Sequence, residues 1–367
     1  MELFATAEQM GHEQVVFFHH KESGLKAIVA IHNTVLGPAL GGLRMWPYDS
    51  EDEALTDVLR LSRGMTYKAA VSGLNLGGGK SVIIGDPKKD KSEAFFRALG
   101  KFIDSLGGRY ITAEDVNTTV NDMEYIFAET DNVVGVPEVH GGGGDPSPLT
   151  AYGTIRGIQA CLNRKYGHTD LSKASYAVQG AGNVGIHIIR TLREAGAKVT
   201  VCDMNEQRLE ECKEMGCEIV DLDAIYDVDC DVYVPCALGA TVNDETIPRL
   251  KCDIVAGSAN NQLAEERHGT ELEKRGMIYA PDYAINAGGL MNVAIELQGY
   301  NKDRAFRQVK GIYDIIEQIF AIADRDGIPS WQAADRLAEE RIAAMSSVKL
   351  PHVERRSKRA SGRRPKA

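Results

Sequence analysis

Two periods of hydrophobic patterning divide the 367-residue chain. Apolar, often β-branched runs of four or five residues predict strands at Ala27 to Ile31, Ser81 to Ile84, Arg109 to Ala113, Ser175 to Gln179, Lys198 to Cys202, Asp231 to Pro235, Asp253 to Ala256 and Met277 to Pro281. Between them, apolar residues at spacings of three and four predict amphipathic helices. Ala54, Leu55, Val58, Leu59 and Leu61 supply the face of a helix that starts at Ser50, with Glu53 at capping-box spacing, and runs towards Lys68. Ala94, Phe95, Ala98, Leu99 and Phe102 supply another from about Lys91 to Leu106. Further helices are expected from Ile186 to Ala195, as one long core helix from Lys302 to Arg325, and from roughly Trp331 to Met345. This alternation predicts an α/β fold.

The pattern breaks at His140 to Pro148. Four consecutive glycines cost too much conformational entropy to lie inside an element, so they mark a connection between lobes, with a boundary near residue 145. Ser147 is placed to cap the next helix and Pro148 fits its first turn. The expected domains are 1–144, with 331–346 packing back on them, and 145–330, followed by a basic tail over 347–367.

Composition narrows the class. With 43% hydrophobic and 26% charged residues the chain can bury two cores. No apolar run approaches the roughly 20 residues needed to cross a bilayer, and Met1 to Phe4 lack the basic start of a signal peptide, so a cytoplasmic protein is expected. A net charge of −10 argues against nucleic acid as the main partner. The tail, with Arg355, Arg356, Lys358, Arg359, Arg363, Arg364 and Lys366, reads as solvated and has no catalytic role. Seven cysteines without Cys-x-x-Cys spacing read as reduced core residues, and neither they nor the nine histidines show metal-site spacing.

Candidate chemistry lies in two stretches. Gly73 to Lys80 carries three consecutive glycines before a lysine, with Lys68 twelve residues upstream. A P-loop would need glycine where Leu74 stands and a helix where the β-branched run follows. Two readings remain: an exposed lysine after a glycine-rich turn, or a desolvated lysine at a strand start whose pKa is lowered by burial and by Lys68. Asp115, after the strand ending at Ala113, is either a loop acid near a helix start or a proton carrier opposite the lysines. Second, Gly180-Ala181-Gly182-Asn183-Val184-Gly185 is a complete Gly-x-Gly-x-x-Gly turn between strand and helix, and Asp203 ends the next strand 23 residues after Gly180. Its glycines permit the tight turn, pyrophosphate approach and helix packing. The acid suits a ribose diol, so NAD is expected over NADP, although Arg208 is close by. Ala237, Asn260, Asn261 and Asn286 follow other strand ends, where α/β sheets bind ligands.

Gly41 to Trp46, Arg63 to Lys68, Gly73 to Lys80, Tyr110 to Val116, Asp145 to Gly153 and Ala280 to Gly289 together resemble the amino acid dehydrogenases that act on glutamate, leucine, valine or phenylalanine, and the likeness runs from Glu2 to about Met345. It implies an N-terminal substrate and oligomerisation domain, a Rossmann-type NAD domain across a cleft, and a homo-octamer. It further implies that Lys68 grips the substrate carboxylate, Lys80 activates water and Asp115 exchanges protons with the substrate nitrogen, so that an amino acid becomes a 2-oxo acid and ammonia. Gly41, Met65 and Asn261 would line the substrate site and Thr150 the nicotinamide. Leu40, Ala113, Leu290 and Val293 match pocket positions. All four are apolar, which suits branched aliphatic side chains such as that of L-leucine and leaves a glutamate side chain unpaired. Leu290 where the leucine-acting members carry valine, Ile295 in place of an acid, and the extra glycines of 140–144 depart from the pattern. Phenylalanine or valine specificity, or an NAD-binding protein without turnover, are the competing expectations.

Overall fold

The computed structural model describes residues 3–237 and 239–348; most of the expected basic tail lies outside them. The first domain runs α1 (Leu3–Met10), β1 (Gln14–His20), β2 (Leu25–Asn33), β3 (Ala39–Trp46), α2 (Glu51–Val71), β4 (Gly77–Ile84), α3 (Glu93–Ser105), β5 (Tyr110–Glu114) and α4 (Val120–Phe127). Its five strands form one sheet in the order β1-β2-β4-β3-β5. β2 is antiparallel to β1 and β4, whereas β3 runs parallel to both β4 and β5.

The second domain follows α5 (Ser147–Tyr166) with β6 (Ser175–Gln179), α6 (Asn183–Glu194), β7 (Lys198–Cys202), α7 (Glu206–Glu214), β8 (Glu218–Ile219), β9 (Val232–Pro235), β10 (Ile254–Val255), α8 (Glu266–Lys274) and β11 (Ile278–Tyr279). These strands form a wholly parallel sheet ordered β11-β10-β9-β6-β7-β8, with its topological switch between β6 and β9. That is the doubly wound dinucleotide-binding order. The chain closes with α9 (Asp282–Ile285), α10 (Gly288–Glu296), α11 (Lys302–Lys310), α12 (Ile312–Asp326) and α13 (Ser330–Ser346). α13 returns to the first domain: Arg341 Nη1 donates to the Ala70 carbonyl at the end of α2 (2.8 Å), and Glu339 accepts from Tyr67 (3.0 Å).

Several local expectations are corrected. Gly77 to Gly79 belong to β4, which excludes the turn reading of that stretch and sets Lys80 within a strand, and Gly41 and Gly42 likewise lie within β3. The glycines are required by close packing: a Cβ on Gly78 would lie 2.0 Å from the Thr66 nitrogen of α2, and one on Gly41 would lie 1.7 Å from the Gly79 carbonyl oxygen. Ser50 caps α2 by accepting from Glu53 N–H (3.1 Å), but Glu53 reaches back to Asp49 N–H (2.9 Å), so the box is displaced by one residue. Ser147 is already helical and its N–H donates to Asp145 (2.9 Å). The long helix expected at 302–325 is two, meeting at Gly311, whose N–H bonds three residues back to Gln308.

All seven cysteines are free and six are buried, where desolvation raises thiol pKa values, to about 12 for Cys202. No helix among the described residues is long and apolar enough to cross a membrane.

A histidine pair, His32 buried and His12 half-buried, fastens α1 and β2 to α2. His32 Nε2 donates to the Met10 carbonyl (3.1 Å), which leaves Nδ1 to accept from Thr66 Oγ1 (2.8 Å), and His12 packs edge-on at 4.9 Å between ring centroids. Burial, with help from His12, pushes the pKa of His32 down to about 4. In the unfolded chain it binds its proton near 6.5. Acidification therefore favours the unfolded state: stability is complete above 6.5 and is lost as pH falls towards 4. On the order of 3 kcal/mol should disappear over this window by linkage. Urea titrations should show the native chain losing about 3 kcal/mol more stability than His32→Gln between pH 6.5 and 4, and parallel losses would exclude the linkage.

Candidate active site

The packing of α2 on β4 brings two lysines from separate elements to one cleft. Lys80 Nζ, almost wholly buried, donates to Asp115 Oδ2 at 2.6 Å. Asp115 is held by the turn after β5, which is stapled to β3: Asp115 N–H donates to Thr118 Oγ1 (2.9 Å), Thr118 Oγ1 reaches the Leu43 carbonyl (2.8 Å), and Asn117, at φ +60°, donates to the Met45 carbonyl (3.0 Å). Gly42 makes room for this turn, because a Cβ there would lie 2.7 Å from that of Asp115. Lys68, in the last turn of α2, crosses the cleft and donates to Asn286 Oδ1 (2.6 Å). Asn286 Nδ2 in turn donates to Asn260 Oδ1 (2.7 Å) and the Ser258 carbonyl (3.1 Å).

The two ammonium groups differ electrostatically. Burial pushes Lys68 down to about 8, opposed by Asp282 and reinforced by Lys80. Burial also lowers Lys80, but the adjacent Asp115 carboxylate opposes the shift. Asp115 itself lies below the usual carboxylate range: burial would raise it, yet the Lys80 charge and hydrogen bond and the Arg44 charge outweigh that cost.

Leu40, Ala113 and Leu290 are buried, and with half-buried Met65 and Val293 they belong to one apolar cluster that continues from the first domain into the second. Leu40 and Ala113 come from β3 and β5, Met65 from α2, and Leu290 and Val293 from α10. Gly41 lies beside them on β3, with its carbonyl accepting from Tyr110 Oη (2.8 Å).

The opposite wall is the switch point of the parallel sheet. Gly180 takes φ +101° with Ala237 so close that a Cβ would lie 2.8 Å from it, and a Cβ on Gly185 would lie 2.1 Å from the Gly180 carbonyl oxygen. A Cβ on Gly182 meets nothing within 4 Å, and no side chain caps α6. Free space thus faces uncapped helix N–H groups of Asn183, Val184 and Gly185, which fits a dinucleotide pyrophosphate. Asp203 accepts from Ala181 N–H (2.6 Å) and Asn205 N–H (2.7 Å) at the end of β7, and Arg208 is turned to Glu211 (3.1 Å). Ala237, exposed after β9, and buried Ala181 complete the rim and floor. Asn261, at φ +51°, is fixed by the 2.6 Å bond from Ala240 N–H to its carbonyl. Thr150 lies in the first turn of α5 against Gly289. Asn286, expected from its strand end to touch cofactor, is engaged by Lys68 and Asn260.

Two participants were not singled out from the sequence. Asp282 accepts from the N–H groups of Gln262 (2.8 Å) and Tyr283 (2.6 Å) and faces Lys68 as a counter-charge; its place after a strand end was the available signal. Arg44, which reaches Asp115, lay inside a recognised motif but had no readable partner. Elsewhere Asp244, Glu265 and His268 converge, but Arg267 bonds both carboxylates. His268 Nδ1 accepts from Glu265 N–H (2.9 Å), which puts the proton on Nε2, the nitrogen facing Asp244.

The doubly wound parallel sheet with its open glycine turn has the form of a dinucleotide-binding domain, and the other domain contributes a buried lysine–carboxylate pair, a combination that points to an enzyme. Residues 12–132 match the family model for the Glu/Leu/Phe/Val dehydrogenase dimerisation domain, and residues 141–207 and 201–349 match the Glutamate/Leucine/Phenylalanine/Valine dehydrogenase model. The chain belongs to this family and is an amino acid dehydrogenase. It is 59% identical over 350 residues to leucine dehydrogenase of Thermoactinomyces intermedius, covering 95% of this chain and 96% of that one. It is 51% identical to phenylalanine dehydrogenase of Bacillus thermotolerans, over 94% and 92% of the two chains. The crystal structure of L-tryptophan dehydrogenase from Nostoc punctiforme matches with a TM-score of 0.84 and 46% identity, covering 94% and 99%.

The glycine geometry separates binding from folding. Gly182→Ala should fold normally but weaken NADH binding by at least about tenfold, because its methyl enters the pyrophosphate space. Gly185→Ala should lose soluble, folded protein through backbone collision. NADH fluorescence titration and thermal melts check both, and an unchanged Kd for Gly182→Ala would remove the cradle assignment.

Proposed function

We propose that the chain catalyses reversible, NAD-dependent oxidative deamination of L-leucine and other branched-chain aliphatic L-amino acids to 2-oxo acids and ammonia. The observation that carries this reading is the buried 2.6 Å Lys80–Asp115 pair, with the apolar cluster of Leu40, Ala113 and Leu290 on the same cleft. The higher identity to leucine dehydrogenases, 57–59%, than to phenylalanine dehydrogenases, 45–51%, supports the aliphatic choice.

In this mechanism Lys68 exchanges its neutral Asn286 partner for the substrate carboxylate, whose charge favours the ammonium form despite burial. The side chain enters the apolar pocket, where an acidic group would lose its hydration without gaining a partner. Asp115, ionised in the ligand-free site, accepts a proton from the substrate ammonium group. Neutralising Asp115 removes the charge that holds the proton on Lys80, so protonation of one carrier lets the other release its proton to solvent. The bound nicotinamide supplies the hydride acceptor for the α-carbon. Lys80, then neutral, takes a proton from the water that adds to the resulting imine, Asp115 returns its proton to the nitrogen, and as ammonia leaves the hydroxyl proton passes to it by way of Asp115, giving the 2-oxo acid and ammonium. Asn261 and Gly41 position the substrate and Thr150 the nicotinamide end. Asp203 takes the ribose, and a carboxylate there, with Arg208 occupied by Glu211, favours NAD over its phosphorylated counterpart.

The proposed arrangement has residues 1–144 and 331–346 forming the substrate lobe and 145–330 the dinucleotide lobe, in a cytoplasmic homo-octamer. The part-exposed β1 strand, with Phe17 56% exposed, offers an edge for assembly.

NADH formation with leucine, valine, isoleucine, phenylalanine and glutamate, beside NAD or NADP, tests the reading. Branched aliphatic substrates with NAD should lead. Lys80→Ala should lower kcat by about 10²–10⁴-fold with unchanged NADH affinity, and Lys68→Ala should chiefly raise the KM for leucine. Comparable turnover of glutamate would overturn the pocket assignment, and undiminished kcat in Lys80→Ala would overturn the mechanism.

A further inference from the structure

Asp115 has a second cationic neighbour that the proposed mechanism does not use. Arg44 projects from β3, beside Val82 in the β3–β4 ladder, and its Nε lies 3.4 Å from Asp115 Oδ2, the same oxygen that Lys80 approaches to 2.6 Å. That Nε is buried and has no hydrogen-bond partner. The other end of the guanidinium is anchored: Nη1 donates to Asp57 Oδ2 of α2 at 2.9 Å, and Tyr48 Oη donates to the same oxygen at 2.7 Å. Arg60 approaches the remaining Asp57 oxygen only to 3.9 Å and is largely exposed. The charged groups facing Arg44 are therefore Asp115, Asp57 and, across Asp115, Lys80, with Tyr48 behind. An anchored guanidinium does not titrate in the physiological range, so its charge is permanent.

We propose that Arg44, clamped by Asp57, is a positioning residue of the deamination site that shares the Asp115 carboxylate with Lys80 and thereby sets which of the two gives up its proton during turnover.

This rests on the reading of Lys80 and Asp115 as proton carriers. If Asp115 faced Lys80 alone, the pair would hold its proton tightly and Lys80 would stay an ammonium too weakly acidic to act. A fixed positive charge on the same carboxylate has two effects of useful sign. It keeps Asp115 ionised, ready for the substrate ammonium group, and it repels the proton on Lys80. Burial likewise lowers Lys80, and Arg44 acts with it against Asp115. The clamp matters because a mobile side chain would leave for water, whereas Arg44, 22% exposed, is held between the sheet and α2. The location also explains why an arginine stands where β3, α2 and the Asp115 turn meet: it ties all three together.

The test is the pH profile of kcat at saturating leucine and NAD, in which the acid limb reports the proton lost from the Lys80–Asp115 pair in the complex. Arg44→Gln should move that limb upward by at least about one pH unit, and Arg44→Lys, which restores the charge, should bring it back towards the native position. Gel filtration and NADH binding should match the native protein in both. Should Arg44→Gln fail to fold, Asp57→Asn, whose amide oxygen can still accept from Arg44 Nη1 and keep the clamp, reads the same network with opposite sign: losing a negative charge that faces Lys80 lowers the limb. An unmoved limb in a folded Arg44→Gln, or in Asp57→Asn where that variant is needed, would reduce Arg44 to a structural tie and overturn the proposal. Asp115→Asn separates the two levels. If it leaves kcat intact, the proton-carrier reading itself fails; if it abolishes turnover while Arg44→Gln leaves the limb in place, only the role of Arg44 fails.

Discussion

The site depends on how closely α2 can lie on β4. Gly78 faces the backbone of Thr66 so tightly that a single methyl would collide, and a Cβ on Gly79 would lie 2.8 Å from the Tyr110 ring. Glycine inside a strand is unfavourable by its own entropy, so three in succession must be offset by what they permit. Gly78 permits direct packing of helix on sheet, which places Lys68 at the end of one and Lys80 within the other, while Gly77 and Gly79 admit the Asn33 carbonyl and the Tyr110 ring. Gly41 and Gly42 extend the principle across β3, allowing first the β4 backbone and then the Asp115 turn to approach.

Concentrating two lysines, an arginine and three carboxylates in a partly dry space is costly unless each charge has a partner. Partners are supplied in a fixed order: Tyr48 to Asp57, Asp57 to Arg44, Arg44 and Lys80 to Asp115. Lys68 stands outside this chain, with only neutral Asn286 in hydrogen-bond contact and Asp282 as a facing charge. That asymmetry is what the proposed mechanism uses, with Lys68 receiving a carboxylate from outside and the inner network passing protons.

The two domains are joined on both sides of the cleft. Inside, Leu40, Ala113 and Leu290 belong to an apolar cluster shared between domains. Behind it, α13 bonds α2 through Arg341 and Glu339 and bonds α9 through Asp335, which accepts from Tyr283 at 2.6 Å. At the glycine-rich connection, Glu296 of α10 accepts from the N–H groups of Gly135 and Gly143, both at 2.8 Å. The helix that carries Leu290 and Val293 is thereby tied to the connection between domains.

The dinucleotide half was largely legible in the sequence because its signals are local. Gly180 to Gly185 and Asp203 lie within one strand–turn–helix–strand unit, and the φ of Gly180 and the open space at Gly182 follow from that unit alone. The α/β class and reduced cysteines were legible for a similar reason, since hydrophobic period and cysteine spacing are properties of short windows. For the Gly73 to Lys80 stretch the sequence leaves a turn and a strand start open, because what its glycines are for comes from partners far along the chain: Thr66 and Tyr110 leave no mark beside Gly78 and Gly79. Likeness to known amino acid dehydrogenases supplied roles for Lys68, Lys80 and Asp115, whereas the second cation on Asp115 and the bond between Lys68 and Asn286 came only from the fold. Electrostatic partnership depends on distance in space, and the chain determines that distance only after α2, β3, β4 and the second domain have packed together.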